Sequence, residues 1–184
     1  MNKLAKVTSI LSMSFVTTLH AASFGSYDLV SKSDFPSDGY IPPEYVSFQG
    51  TERTIGKTIG ICTDTHSRRV PGKIVDGSCF VEWDGKEYKN DEFFILRSSS
   101  GYRWTSVNQE NKNFILNAGV TPGTTDEGNY VYHCRIWDPQ NNIYTAGKYI
   151  PSRNGCYFAL YGANFRSEKH AFLEVLTVGS PSQY

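Results

Sequence analysis

The chain has 184 residues, room for one sizeable domain or two small interlocked ones, and its 18 Lys and Arg balance 18 Asp and Glu. A chain of zero formal charge has no electrostatic footprint for phosphate backbones or anionic lipid, which argues against nucleic acid as a partner. Aromatic residues make up 14% of it, and 16 Gly and 8 Pro punctuate it, a mixture that favours β-structure with many turns over helix.

Residues 1–22 read as a secretory signal peptide. Lys3 and Lys6 precede the uncharged run "VTSILSMSFVTTL", and Ala21 and Ala22 supply small residues for cleavage, although Leu19 and His20 fit the cleavage site imperfectly. The run is too short, and too interrupted by Ser and Thr, to span a bilayer, and no later segment is apolar enough to do so. The expected location is therefore secreted or periplasmic. Residues 23–38 form an N-terminal extended segment, and Pro36, Pro42 and Pro43 make the stretch from Ser26 to Gly50 loop-like.

The next region is written twice. "VPGKIVDGSCFVEWDGKE" (Val70 to Glu87) returns as "TAGKYIPSRNGCYFALYG" (Thr145 to Gly162), each with a small residue, Gly and Lys, then a polar turn, Cys and an aromatic residue. With the Gly-Lys pairs in register, "TIGICTD" falls on "YVYHCRI", Cys62 matches Cys134, and "EFFIL" ending at Leu96 falls on "AFLEVL" ending at Leu176. Two copies about 75 residues apart imply a pseudo-twofold domain rather than an array. The expected division is a first repeat over 39–97, a second over 98–178 and a tail over 179–184. The fold class expected is all-β: two interlocked β-sheet repeats with internal pseudo-twofold symmetry.

Period-two alternation puts Cys79, Val81 and Trp83 on one face of a strand, with Phe80 and Glu82 on the other. Cys156, Phe158 and Leu160 share the corresponding face, so Val81/Trp83 and Phe158/Leu160 are expected to meet in one core. All four cysteines lie beyond the signal, and an even count in an exported chain suggests two disulfides, with three connectivities open. If the cysteine-bearing strands pair within a repeat, the bridges are Cys62–Cys79 and Cys134–Cys156. Zinc competes weakly, because no cysteines are spaced Cys-x-x-Cys and His66 and His133 form no knuckle. No metal or cofactor is expected. No dozen-residue window beyond the signal carries helical spacing, and Arg97 to Asn113, around Trp104, reads as a turn and a strand.

Set in order, these motifs resemble a known family. The first copy supplies Ile41-Pro42, Gly50-Thr51-Glu52, Pro71-Gly72-Lys73 and Gly85-Lys86-Glu87; the second supplies Trp104, Ala118-Gly119, Arg135, Gly147-Lys148 and Gly162. Over about Gly39 to Leu176 the chain resembles the tandem DM-nine repeat proteins, found among mannose-binding lectins and natterin-like proteins. It departs from the pattern at Thr63 (usually Arg), at Ala146 (usually Pro) and at Gly162-Ala163-Asn164 (usually Gly-Lys-Glu). The second acid falls in the loop "VTPGTTDEGN", as Asp126 or Glu127.

The resemblance implies a lectin that binds mannose-like glycans without calcium, the acid and the Lys each holding sugar hydroxyls through charge-assisted hydrogen bonds. It makes Glu52 with Lys73 one clamp and Asp126 with Lys148 the other, Glu87 supporting. Whether clamp residues pair within or across copies stays open, as does a homodimer. On the residues alone, a Gly-Lys after a strand is commonly a solvated turn, and a Glu–Lys pair a surface ion pair of little worth. Trp83 reads as core; Trp104 and Trp137 read either as stacking platforms or as buried at the repeat junction. His66, His133 and His170 are scattered, and no nucleophile elbow, zinc-protease motif or phosphate loop is present, so no enzyme is expected. Paired acids such as Glu52 and Asp126 would be what glycoside hydrolysis needs. The competing class is a secreted protein-interaction or toxin-accessory scaffold without sugar binding.

Overall fold

The computed structural model describes residues 23–35, 39–51, 57–66, 69–98, 101–124, 128–139, 142–160, 163–167 and 172–179. The expected signal peptide, Glu52 and Asp126 lie outside the described residues. Strands β1 (Ser23–Phe24), β2 (Tyr27–Ser31) and β3 (Ser47–Gly50) lead into the first repeat. That repeat is β4 (Lys57–Thr63), β5 (Pro71–Val75), β6 (Ser78–Trp83), β7 (Lys86–Asn90) and β8 (Glu92–Leu96). Strand β9 (Tyr102–Ser106), helix α1 (Lys112–Ala118) and the short β10 (Val120–Thr121) and β11 (Gly123–Thr124) follow. The second repeat is β12 (Tyr130–Asp138), β13 (Ile143–Ile150), β14 (Gly155–Leu160), β15 (Ala163–Ser167) and β16 (Leu173–Val178).

One sheet runs β2-β8-β4-β5-β6-β7-β15-β14-β13-β12-β16-β9, with β3 added to β4 and β11 to β12. Exchanging each strand for its counterpart reverses this order onto itself, so a pseudo-twofold axis passes between β7 and β15, which meet at Ala163 and Lys86. Strands β1 and β10 form a separate parallel pair. Within the first repeat, Asp76-Gly77 and Asp84-Gly85 close β5–β6 and β6–β7, all four residues with φ between 47° and 76°. Two left-handed residues in a row give hairpin turns whose twist matches the strands, which is why Asp-Gly stands at both.

Each repeat curls about its second strand. Cys62 on β4 lies opposite Gly72 of β5, and Cys79 on β6 lies opposite Ile74 of β5, so the two cysteines sit two strands apart. They are nonetheless joined in a disulfide, with Cα atoms 6.1 Å apart, where next-but-one strands of a flat sheet would stand roughly 9–10 Å apart. The Cys134–Cys156 disulfide repeats this around β13, also at 6.1 Å. The tightest point of each curl has no room for a side chain on the central strand: a Cβ on Gly72 would lie 2.4 Å from the Phe80 carbonyl oxygen, and one on Gly147 would lie 2.1 Å from that of Tyr157. Both glycines are fixed by the curl, not by a turn.

Three cores result. The first curl encloses Cys62, Val70, Ile74, Cys79, Val81, Phe93 and Ile95, closed by Phe35 and Ile41. The second encloses Tyr132, Cys134, Ile136, Tyr149, Cys156, Phe158, Leu173 and Val175, closed by Phe114, Ile115 and Ala118 of α1. Between them, Val46, Phe48, Ile59, Ile61, Leu96, Val120, Ala146 and Leu176 form the joint. The expected single core of Val81/Trp83 and Phe158/Leu160 is therefore corrected. Each cysteine-bearing face folds inward on itself, so Val81, with Trp83 against it, belongs to one core and Phe158 to another.

Helix α1 lies in a stretch where no dozen-residue window carries helical spacing. Phe114, Ile115 and Ala118 make one apolar stripe on a helix of seven residues, shorter than a dozen-residue window can register. Burying its two large side chains contributes about 1.5–3 kcal/mol each. Within the stretch expected to be loop-like, two described segments are sheet: β2 pairs with β8 and β3 with β4.

Candidate functional site: a seam between the repeats

In β5, Gly72 and Ile74 face into the curl and Lys73 faces out; in β13, Gly147 and Lys148 repeat the pattern. Outside the curls, β5 and β6 pack against β13 and β14, so both lysines enter the seam between repeats. Lys73 is 1% exposed and Lys148 6%, which corrects the solvated-turn reading: both stand inside strands and are buried.

Their contacts are reciprocal. The Lys73 ammonium donates to the Ala159 carbonyl on β14 and, at 3.2 Å, to Thr145 Oγ1 on β13. The Lys148 ammonium donates to the Glu82 carbonyl on β6 at 2.7 Å. Ala159 and Glu82 occupy equivalent positions, so each lysine crosses the axis to the same carbonyl of the other copy. The symmetry breaks at the side chain there. The Glu82 carboxylate lies 2.8 Å from the Lys148 ammonium, both side chains being under a tenth exposed, and its other oxygen accepts the Gly85 N–H at 3.0 Å. Lys148 also lies 4.9 Å from the centre of the Trp83 ring. Burying such a pair costs desolvation that only close contact and further hydrogen bonds offset, and here both are present.

Of the expected ligand residues, Lys73 and Lys148 line the seam. Glu87, half-buried on β7, is the cross-strand partner of Glu82 and shares its face. Glu52 and Asp126 lie outside the described residues. The residue before Glu52 is placed: the Thr51 N–H donates to the Tyr144 carbonyl at 3.1 Å, and Thr51 Oγ1 accepts the Tyr144 N–H at 2.6 Å. Tyr144 adjoins Thr145, so this loop of the first repeat is tied one residue away from the hydroxyl that meets Lys73.

Sequence reasoning missed Glu82 and Thr145 as seam residues. The alternation of "CFVEW" did place Glu82 opposite the core-facing cysteine, but not what would cover that side. Trp104 takes the junction reading. Its ring lies 4.7 Å from the Arg135 guanidinium, which also faces Tyr144 and Phe48 and donates from Nε to Glu174 at 2.6 Å.

His133 is fully buried, and its Nε2 is hydrogen-bonded to the Tyr27 hydroxyl at 2.6 Å. Desolvation holds the imidazole pKa down at about 3 and pushes the Tyr27 phenol well above its usual range, with Tyr102 adding to the latter. Neither group exchanges protons near neutral pH. Among the described residues, no cluster of three or more His, Cys, Asp or Glu could hold a metal ion, and no helix is long and apolar enough to cross a membrane.

The fold and seam define an all-β protein of two curled repeats locked together across a pseudo-twofold axis. The chain belongs to the DM9 repeat family, whose model matches residues 45–167. No curated protein sequence matches it. Among solved structures, it is similar to the nematode sperm cell motility protein MFP2B, with a TM-score of 0.59 and 13% identity over 85% of this chain. It spans 48% of that protein's length, and at this identity the likeness concerns the fold alone.

Proposed function

We propose that the chain is an exported carbohydrate-binding protein that holds a mannose-type sugar, without calcium, at the seam between its repeats. The observation that carries this reading is the reciprocal placement of Lys73 and Lys148, each crossing the axis to the carbonyl at the same position of the other copy. Two cationic donors related by the symmetry, with Glu87 on the same face, supply the donor and acceptor chemistry that neighbouring sugar hydroxyls require. The anchoring of Thr51 beside Tyr144 supports Glu52 as the acid opposite Lys73, with Asp126 its counterpart toward Lys148. Lys148 pairs with the Glu82 carboxylate, whereas the Lys73 ammonium meets a carbonyl and a hydroxyl, so the reading is tested first at Lys73. The two disulfides are compatible with an oxidising compartment outside the cytoplasm.

The test is glycan-array binding with chelator present, comparing wild type, Glu52→Gln, Lys73→Met and Lys148→Met. Wild type is expected to retain mannose-type glycans, and Lys73→Met to lose a charged hydrogen bond of about 1.5–3 kcal/mol, one to two decades in affinity. Methionine keeps the buried stem filled, and each variant is assayed below its own melting transition. Wild type that binds no glycan, or a folded Lys73→Met that binds as well, refutes the reading. The scaffold reading, for which the fold shared with a motility protein is the support, then takes its place and predicts a protein partner in pull-down.

A further inference from the structure

The mouth of the first curl opens into a cavity of about 450 Å³, which neither seam lysine lines, bounded by Asp64, His66, Val81, Trp83, Tyr88 and Asn90 among others. Val81 and Trp83 sit on one face of β6, and Tyr88 stands directly across from Val81 on β7, so two aromatic rings and an aliphatic floor form one wall. The opposite wall is polar. Asp64, only 4% exposed, accepts the Val70 N–H at 2.9 Å and pairs with His66 Nδ1 at 3.0 Å, which fixes its carboxylate in place. Asn90 Nδ2 is buried with no hydrogen-bond partner among the described residues. A buried donor left unmade is costly, and a built cavity that keeps one calls for a ligand acceptor.

The second repeat shows that the fold does not need this polar set. The position of Asp64 is taken there by Ile136, fully buried in the second core, that of Trp83 by Leu160 and that of Asn90 by Ser167. The first copy alone carries an acid, an amide and an indole where the fold accepts aliphatic and small residues. The buried Asp64 carboxylate disfavours anions. What fits is a neutral ring with an apolar face for the aromatic wall and hydroxyls at its edge for Asp64 and Asn90.

We propose that this cavity is a second saccharide site, taking a single pyranose ring in the mouth of the first repeat, bordering the seam at Trp83 but not lined by Lys73. Tyr88 and Trp83 stack on the ring's C–H face, Asn90 donates to a ring or hydroxyl oxygen, and Asp64 accepts from a neighbouring hydroxyl.

The experiment is an NMR titration of the disulfide-intact protein with the methyl glycosides of mannose, glucose, galactose and N-acetylglucosamine, read at the Trp83 indole N–H, with the Asn90 side-chain amide as a second reporter wherever Asn90 is present. At least one glycoside is expected to shift the indole resonance to saturation. Tyr88→Ala and Asn90→Ser, the latter copying the second repeat, are expected to weaken it tenfold or more, and Lys73→Met to leave it unchanged. Tyr88 is 45% exposed, so its truncation gives a folded variant even if Asn90→Ser is damaged. No shift with any glycoside, wild-type affinity in Tyr88→Ala, or loss of the shift in Lys73→Met each overturns the proposal. A saturable Asn90 shift with no glycan bound at the seam leaves this site standing and removes the other.

Discussion

The seam ion pair allows a quantitative test of what locks the repeats together. Glu82→Gln removes the counter-charge but keeps the shape, and strands the Lys148 ammonium in a site where both side chains are under a tenth exposed. Lys148→Met keeps the stem and strands the carboxylate, which retains only the Gly85 N–H at 3.0 Å. Losing one partner of a buried pair costs about 3–5 kcal/mol, or roughly 6–20 °C in Tm for a chain of this size. The double variant leaves no stranded charge and should cost far less than the sum, with a coupling energy of about 2–3 kcal/mol. The assay is urea unfolding with the disulfides intact, run as a double-mutant cycle. If Glu82→Gln costs under about 1 kcal/mol, or the two changes add within about 0.5 kcal/mol, the carbonyl contacts hold the seam and the ion pair is incidental.

Burial of neutral His133 makes stability depend on pH. Its folded pKa of about 3 lies below the free value of 6.5, so the unfolded chain binds the extra proton between them. Stability should therefore fall as pH drops below about 6.5, by up to about 1.4 kcal/mol per pH unit. Asp64, raised mainly by burial, opposes this at the acid end. The difference between wild type and the double variant Tyr27→Phe/His133→Ile isolates the histidine, isoleucine being what the first repeat carries at that position; parallel pH profiles would refute the assignment. Replacing Cys134 and Cys156 together by Ala should cost about 3 kcal/mol in chemical denaturation, and no loss would mean the unfolded chain is constrained by other means. Gly147→Ala, whose Cβ would meet a carbonyl at 2.1 Å, should destabilise by several-fold more than Gly128→Ala, which has nothing within 4 Å and only its φ of +78° to strain.

The repeat is what made the fold legible. Matching Cys62 with Cys134 and Cys79 with Cys156 fixed which strands correspond, and strand pairing within a copy then chose one connectivity of three. Alternation correctly put Glu82, which Lys148 meets, on the side away from Cys79. It could not say what that side meets, because the sheet curls and the convex faces of two copies close on each other. That contact joins residues 66 and 86 positions apart, Lys148 with Glu82 and Lys73 with Ala159, and neither strand's own pattern contains it. For the same reason the two lysines read as solvated: a charge next to a glycine is ordinarily at a turn, and only a second copy of the fold makes it interior. The Gly-Lys pair thus answers two separate demands. Glycine is imposed by the carbonyl of the neighbouring strand inside the curl, whatever the protein binds. Lysine is not imposed by the curl, because it points out of it, and its partners belong to the other repeat. Substitutions at the glycines should therefore act on stability in each copy alone, whereas substitutions at the lysines should act on how the copies join and on whatever the seam holds.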